Sequence, residues 1–185
     1  MQSEVEKVVF SALELQEKIN EIAKNINAVN NNDLVLIGIL KGSYMFMSDL
    51  SRALSQIGCP HQIDFMSVSS YSDTASTGNI KIECDLRHSI TNKHIIVVED
   101  IVDTGRTLSK LIDLLNSRKP ASLRVCTLLS KPTERVVDVN VDFLGFELNP
   151  PEFVIGYGLD YNEKFRDLPF IGVPTKEAIE KYKTN

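Results

Sequence analysis

The sequence predicts an α/β fold, a parallel sheet flanked by helices. Two continuous apolar runs, Leu34–Leu40 and residues 94–98, have the length and the lack of alternation of strands buried on both faces. Helix-periodic segments separate the strand candidates, so successive strands need crossover connections and run parallel. Polar and charged residues follow those strands directly, and sheets of this kind bind their ligands beyond the carboxyl ends of the strands.

Taken in order, Ser11-x-x-Glu14 reads as a capping box. Behind it Ala12, Leu15, Ile19, Ile22, Ala23 and Ile26 recur at helical spacing. The run Leu34–Leu40 is broken by Lys41-Gly42-Ser43, and residues 44–57 read as a helix closed by Gly58 with Pro60 beyond. Residues 62–68 form a less regular strand candidate. Residues 69–79 are rich in Ser, Thr, Asp and Gly, with one aromatic, Tyr71. A loop so long and polar is either a solvated hairpin connection or a lid. The strand at 94–98 ends in Glu99-Asp100. Leu108, Leu111, Ile112 and Leu115 then mark one helix face, and Pro120 stops that helix. Residues 123–129, 141–147 and 153–158 read as three more strands.

Composition bounds the function classes. A chain of 185 residues suits one domain that buries roughly 70% of its unfolded surface. At 43% hydrophobic and 24% charged it is an ordinary globular sequence. A net charge of -5, with no basic run, argues against general nucleic-acid binding. The longest apolar run falls far short of the ~20 residues of a membrane span, and the first residues lack an apolar signal core. Cys59, Cys84 and Cys126 lie far apart without a CxxC, which points to reduced thiols in a cytoplasmic protein rather than a disulfide framework or zinc knuckle. His61, His88 and His94 lack metal-ligand spacing.

The segment after the second strong strand carries the clearest chemistry. Glu99, Asp100 and Asp103 cluster there, and Thr104-Gly105-Arg106-Thr107 opens a helix. A helix N-terminus offers unpaired N–H groups and partial positive charge, which favour a phosphate. Gly105 permits close backbone approach, the hydroxyls of Thr104 and Thr107 can donate, and Arg106 adds positive charge. Either half alone is weak, since Asp or Thr before a helix is often only a cap. Together they suit a ligand with both hydroxyls and a phosphate, such as a sugar phosphate. Neither GxxxxGK[ST] nor GxGxxG is present.

The stretch EDIVDTGRTL at 99–108 resembles the phosphoribosyl pyrophosphate (PRPP) signature of type I phosphoribosyltransferases, in the form carried by the hypoxanthine-guanine, or 6-oxopurine, branch. The resemblance implies that Glu99 and Asp100 contact the ribose hydroxyls and share a metal-linked role. It makes Asp103 the acid/base near purine N7. It makes Asp103, Thr104, Gly105, Arg106 and Thr107 the 5′-phosphate turn. Lys41, Gly42 and Ser43 match the family's pyrophosphate loop, where the peptide before the Lys is typically cis. Ser70 and Tyr71 match the pair in its flexible lid, about 69–82. Lys131 matches the donor to purine O6, and an ammonium, which has no acceptor, favours a carbonyl over adenine's amine. The block FVIGYGLDYNEKFRDLP at 153–169 is the second strong match. It implies stacking of Phe153 on the purine, backbone reading of the base edge at Val154, a magnesium contact at Asp160 and a pyrophosphate contact at Arg166. Tyr157 and Phe165 read as core aromatics.

The resemblance implies a single domain over 1–185, with a core at about 34–150 and a small hood from the N-terminal segment and about 151–185. It implies a Mg²⁺-dependent enzyme of purine salvage. That enzyme transfers the 5-phosphoribosyl group of PRPP to N9 of hypoxanthine or guanine, giving IMP or GMP and pyrophosphate. Relatives of this kind are dimers or tetramers, so a homo-oligomer is expected, with no nucleic-acid or membrane partner. Two alternatives stand beside it. One is a xanthine- or adenine-preferring transferase, and Lys131 weighs against adenine. The other is an RNA-binding sensor on the same fold, and the acidic balance gives that no support.

Overall fold

The computed structural model describes residues 4–29, 33–70 and 80–183. The order is β1 (Val5–Phe10), α1 (Ala12–Ala28), β2 (Leu34–Leu40), α2 (Tyr44–Gln56), β3 (Gln62–Ser70) and β4 (Ile80–Cys84). It continues with β5 (His94–Val102), α3 (Arg106–Ser117), β6 (Ser122–Ser130), β7 (Phe143–Glu147), β8 (Ile171–Pro174) and α4 (Lys176–Lys181). The capping box at the start of α1 forms in both directions. Ser11 Oγ accepts the Glu14 N–H at 3.3 Å and the Glu14 carboxylate accepts the Ser11 N–H at 2.8 Å. Gly58 closes α2 with a φ of 71°, a conformation glycine adopts without penalty.

Six strands form one sheet in the order β4-β3-β2-β5-β6-β7, parallel throughout except for the antiparallel β3–β4 edge. Its central strands are apolar on both faces because both faces are covered. Leu34, Leu36, Ile96, Val98, Cys126 and Leu128 point into one core with α1 and α2. The alternate residues Val35, Ile37, Ile39, Ile95, Val97 and Val125 point into the other, under Leu108, Leu111 and Leu115 of α3. This period of two is what locks the register, since a one-residue slip would exchange the two cores. β2 and β5 are neighbours although β3 and β4 intervene in sequence. The winding therefore reverses between them, and their carboxyl ends form the crevice where such sheets bind ligands.

A second, two-stranded antiparallel sheet pairs β1 with β8, so the two ends of the chain meet. Beside it Ile155, Phe165, Leu168 and Ala178 form a small separate core. The expected strand at 153–158 is absent. Gly156, Tyr157 and Gly158 have φ of 97°, 52° and 101°, which turn the chain out of extended geometry, and only isolated bridges remain, Ile155 to Gly172 and Gly156 to Leu159. The ends of the expected lid range 69–82 are paired strand, with Ser69 opposite Lys81 and Ser70 opposite Ile80. Tyr71 lies outside the described residues. Among the described residues, no helix is long and apolar enough to cross a membrane.

Candidate active site

Four segments far apart in sequence converge at the switch point. The Leu40–Lys41 peptide that ends β2 is cis and is not a proline bond. The following Gly42 lies against β5 so closely that a Cβ there would sit 1.6 Å from Asp100 Oδ2. Gly158 in turn packs on Gly42, where a Cβ would sit 2.0 Å from the Gly42 carbonyl oxygen. Arg166 holds this turn by donating from Nη1 to the Gly158 carbonyl at 2.8 Å. Its Nη2 faces Asp160 at 3.1 Å and Glu163 at 3.2 Å. Glu163 reaches back to Lys41 Nζ at 2.9 Å, which closes the ring. Glycine is required at 42 and 158 because backbone meets backbone or carboxylate there.

The turn expected to take a 5′-phosphate is built beside this ring. Gly105 takes a φ of 79° at the start of α3, and a Cβ there would meet the Val137 carbonyl at 2.4 Å. The Val136 and Val137 N–H groups both donate to the Thr104 carbonyl at 3.0 Å. Lys131 N–H donates to the Val102 carbonyl at 2.9 Å. The segment that carries Lys131 is thus bonded directly to the turn. Asp103, Arg106 and Thr107 are exposed, and a cavity of about 140 Å³ opens among Glu99, Asp103, Thr104, Gly105 and Thr107. That is several water volumes and is lined by both acids and turn residues.

Charge is deliberately unbalanced here. Burial pushes the Glu99 carboxyl well above its ordinary range, and the neighbouring Asp100 charge adds to the push. Asp100 is pushed up to about 6, again chiefly by burial. The Ile101 N–H at 2.8 Å and the nearby Arg166 only partly offset that burial. Arg166 thus leaves the pair only partly compensated, and a cation and ribose hydroxyls would complete the compensation. Glu163 shows the opposite behaviour, held below its usual range first by Lys41 and then by Arg166. Among the described residues no group of three or more His, Cys, Asp or Glu side chains forms a metal cage. Asp160 is already ion-paired with Arg166 and accepts the Glu163 N–H at 2.8 Å. This donor set fits Mg²⁺, which is commonly held by one or two carboxylates with phosphate oxygens and water.

The side expected to meet a base is looser. Lys131 Nζ has no hydrogen-bond partner among the described residues. Phe153 is 50% exposed, with Tyr161 edge-on to it at 5.8 Å. Its neighbour Val154 is buried. Tyr157 and Phe165 are buried core aromatics, and the Tyr157 hydroxyl donates to Asp49. Ser43 follows Gly42 in the loop, but its hydroxyl does not face the crevice. It is fully buried and spends its hydroxyl on the Ile39 carbonyl at 2.7 Å. Two residues that the motifs left without a role do join the site. Glu163 sits inside the second motif, and its carboxylate three residues before Arg166 was the available signal. Arg135 donates from Nη2 to Ser130 Oγ at 2.7 Å, and its Cδ would lie 3.2 Å from a Cβ on Gly105. No local pattern marks it, because its contacts are made by tertiary packing.

Comparisons with known proteins bear on the family. The family described as phosphoribosyl transferase domain matches residues 11–162. A hypoxanthine phosphoribosyltransferase of Salmonella typhimurium is 44% identical over 170 residues, 90% of this chain and 93% of that protein. The bifunctional protein TilS/HprT of Listeria monocytogenes is 44% identical over 183 residues, 98% of this chain and 28% of that protein. The crystal structure of a hypoxanthine phosphoribosyltransferase from Staphylococcus aureus superposes with a TM-score of 0.90 at 41% identity, covering 100% of this chain and 97% of that one.

Proposed function

The chain belongs to the phosphoribosyltransferase family, and on that premise we propose that it joins PRPP to a 6-oxopurine in purine salvage. The products are IMP from hypoxanthine, GMP from guanine, and pyrophosphate. One observation carries the reading. The glycine-to-carboxylate contact between Gly42 and Asp100 sets a diphosphate loop, a ribose-type acid pair and Arg166 around one crevice.

Departure of pyrophosphate from ribose C1′ builds positive charge on the sugar and negative charge on the leaving group. Mg²⁺, held by Asp160 with the Glu99–Asp100 pair, phosphate oxygens and water, would neutralise the leaving group. Lys41 and Arg166 add fixed positive potential at the same end. Glu99 and Asp100 accept hydrogen bonds from the ribose hydroxyls and so fix the sugar. The N–H groups and hydroxyls of the Asp103–Thr107 turn hold the 5′-phosphate at the start of α3. Asp103 takes or shares the N7 proton as N9 attacks, a role typically worth 10²–10⁴-fold. Lys131 donates to the purine O6 and Phe153 stacks on the ring. Val154 reads the base edge through its backbone. Ser70 and Tyr71 belong to the lid that covers the reacting centre and excludes water. The working form is a homodimer or homotetramer in the cytoplasm.

The test is direct. Purified protein with PRPP, Mg²⁺ and hypoxanthine should release IMP and pyrophosphate in equal amounts, followed by chromatography and a pyrophosphate assay. PRPP binding without any nucleotide product would overturn the reading in favour of a sensor.

A further inference from the structure

Residues 161–164 form a two-residue hairpin. Tyr161 and Lys164 exchange backbone hydrogen bonds at 3.2 and 3.1 Å, and the central residues Asn162 and Glu163 have φ of 47° and 63°. Positive φ at both central positions is the type I′ arrangement, for which Asn followed by Gly is the favoured pair. Asn162 obeys that preference and Glu163 does not. A glutamate in the left-handed region is disfavoured where glycine costs nothing. Its side chain bridges Lys41 Nζ at 2.9 Å and Arg166 Nη2 at 3.2 Å. These are the two cations assigned to pyrophosphate.

We propose that Glu163 is a positioning residue that acts as an internal stand-in for the diphosphate. It occupies Lys41 and Arg166 when the subsite is empty, and it competes with PRPP and pyrophosphate for them. The inference rests on the pyrophosphate role of Lys41 and Arg166 and extends it. The Lys41–Glu163 pair lies in the open, with side chains 65% and 62% exposed, so solvent keeps it weak, while Arg166 on the other side of the carboxylate is 20% exposed. A weak internal anion suits the task. It holds the two cations in place, yet a diphosphate with several negative charges displaces it. On product release the carboxylate returns and speeds departure of pyrophosphate.

The experiment measures Mg²⁺-pyrophosphate affinity by titration calorimetry for the wild type, Glu163→Gln and Glu163→Gly. IMP affinity serves as a control, because the nucleotide's 5′-phosphate sits on the Asp103–Thr107 turn. Both variants should bind pyrophosphate three- to tenfold more tightly, with IMP affinity unchanged within twofold. Glu163→Gly should also keep or raise the Tm, since it relieves the turn, whereas a purely structural glutamate would lower it. In a Lys41→Gln background the gain from Glu163→Gln should shrink, which shows that the effect runs through that cation. Unchanged or weaker pyrophosphate binding in both variants would overturn the proposal. Failure of the wild type to bind pyrophosphate while binding IMP would overturn the underlying assignment of Lys41 and Arg166 instead.

Discussion

Adding one methyl group at Gly42 should disable the site. A Cβ there would sit 1.6 Å from Asp100 Oδ2, while ordinary contact begins at 3.4 Å. The loop and the carboxylate must therefore separate by about 1.8 Å. Neither side moves freely. Asp100 lies within β5 between Glu99 and Ile101, which pair with Thr127 and Leu129 of β6, and Gly42 is itself covered by Gly158. A misplacement of about 1 Å can cost 10²-fold in rate, so Gly42→Ala should lower kcat/KM for PRPP by at least about 10²-fold. Overpacking of this kind costs about 1–3 kcal/mol, which lowers the Tm of a domain this size by about 3–9 °C. The double variant Gly42→Ala, Asp100→Ala removes the atom that the methyl strikes. It should recover most of the Tm and none of the activity. Steady-state kinetics with PRPP as the varied substrate, beside thermal unfolding, reads both effects. Gly42→Ala with kcat/KM within threefold of wild type and an unchanged Tm would refute the close approach on which the site depends.

Other consequences follow from the same geometry. Asp100 binds its proton more tightly when folded, with a pKa of about 6 against an ordinary 3.8. The folded state then holds more protons than the unfolded one between those values, so this group's contribution to stability falls as pH rises through the window. Asp100→Asn should raise the Tm of the ligand-free protein at pH 7.5, by at most about 3 kcal/mol of stability. The gain should largely vanish near pH 4, and an equal gain at both pH values would contradict the electrostatic cause. Asp103→Asn should cut kcat by about 10²–10⁴-fold while PRPP affinity by calorimetry stays within a few-fold, and parallel losses would remove its acid/base role. Lys131→Ala should lower kcat/KM for hypoxanthine by about 10–100-fold, the value of a hydrogen bond from a charged donor, with PRPP affinity kept. Unchanged base kinetics would dismiss the O6 contact.

What the sequence shows depends on how local the cause is. β2 is readable residue for residue because a strand buried on both faces needs a run with no polar residue, here six apolar side chains and Gly38. The α1 capping box and the Gly58 closure are equally local. β1 and β8 are not readable in that way, since β1 is largely exposed, β8 is four residues long, and each exists only by pairing with the other end of the chain. The apolar letters at 153–158 suggest a strand, but two glycines and Tyr157 in left-handed geometry make a turn that packs on Gly42. The site follows the same division. Glu99 to Thr107 is contiguous, so one motif reveals it. The ring of Gly42, Gly158, Arg166 and Glu163 needs three-dimensional closure. Ser43 shows the limit of motif reading, because a matching residue can turn its hydroxyl inward to the Ile39 carbonyl.

The proposed reaction is transfer of phosphoribose to 6-oxopurines at this site. Product formation from hypoxanthine, guanine, xanthine and adenine, each with PRPP and Mg²⁺, tests it most directly. The site leads us to expect kcat/KM for hypoxanthine and guanine at least about 10²-fold above adenine, because adenine presents an amine to the Lys131 ammonium and leaves it unpaired. AMP formed as fast as IMP would contradict the account.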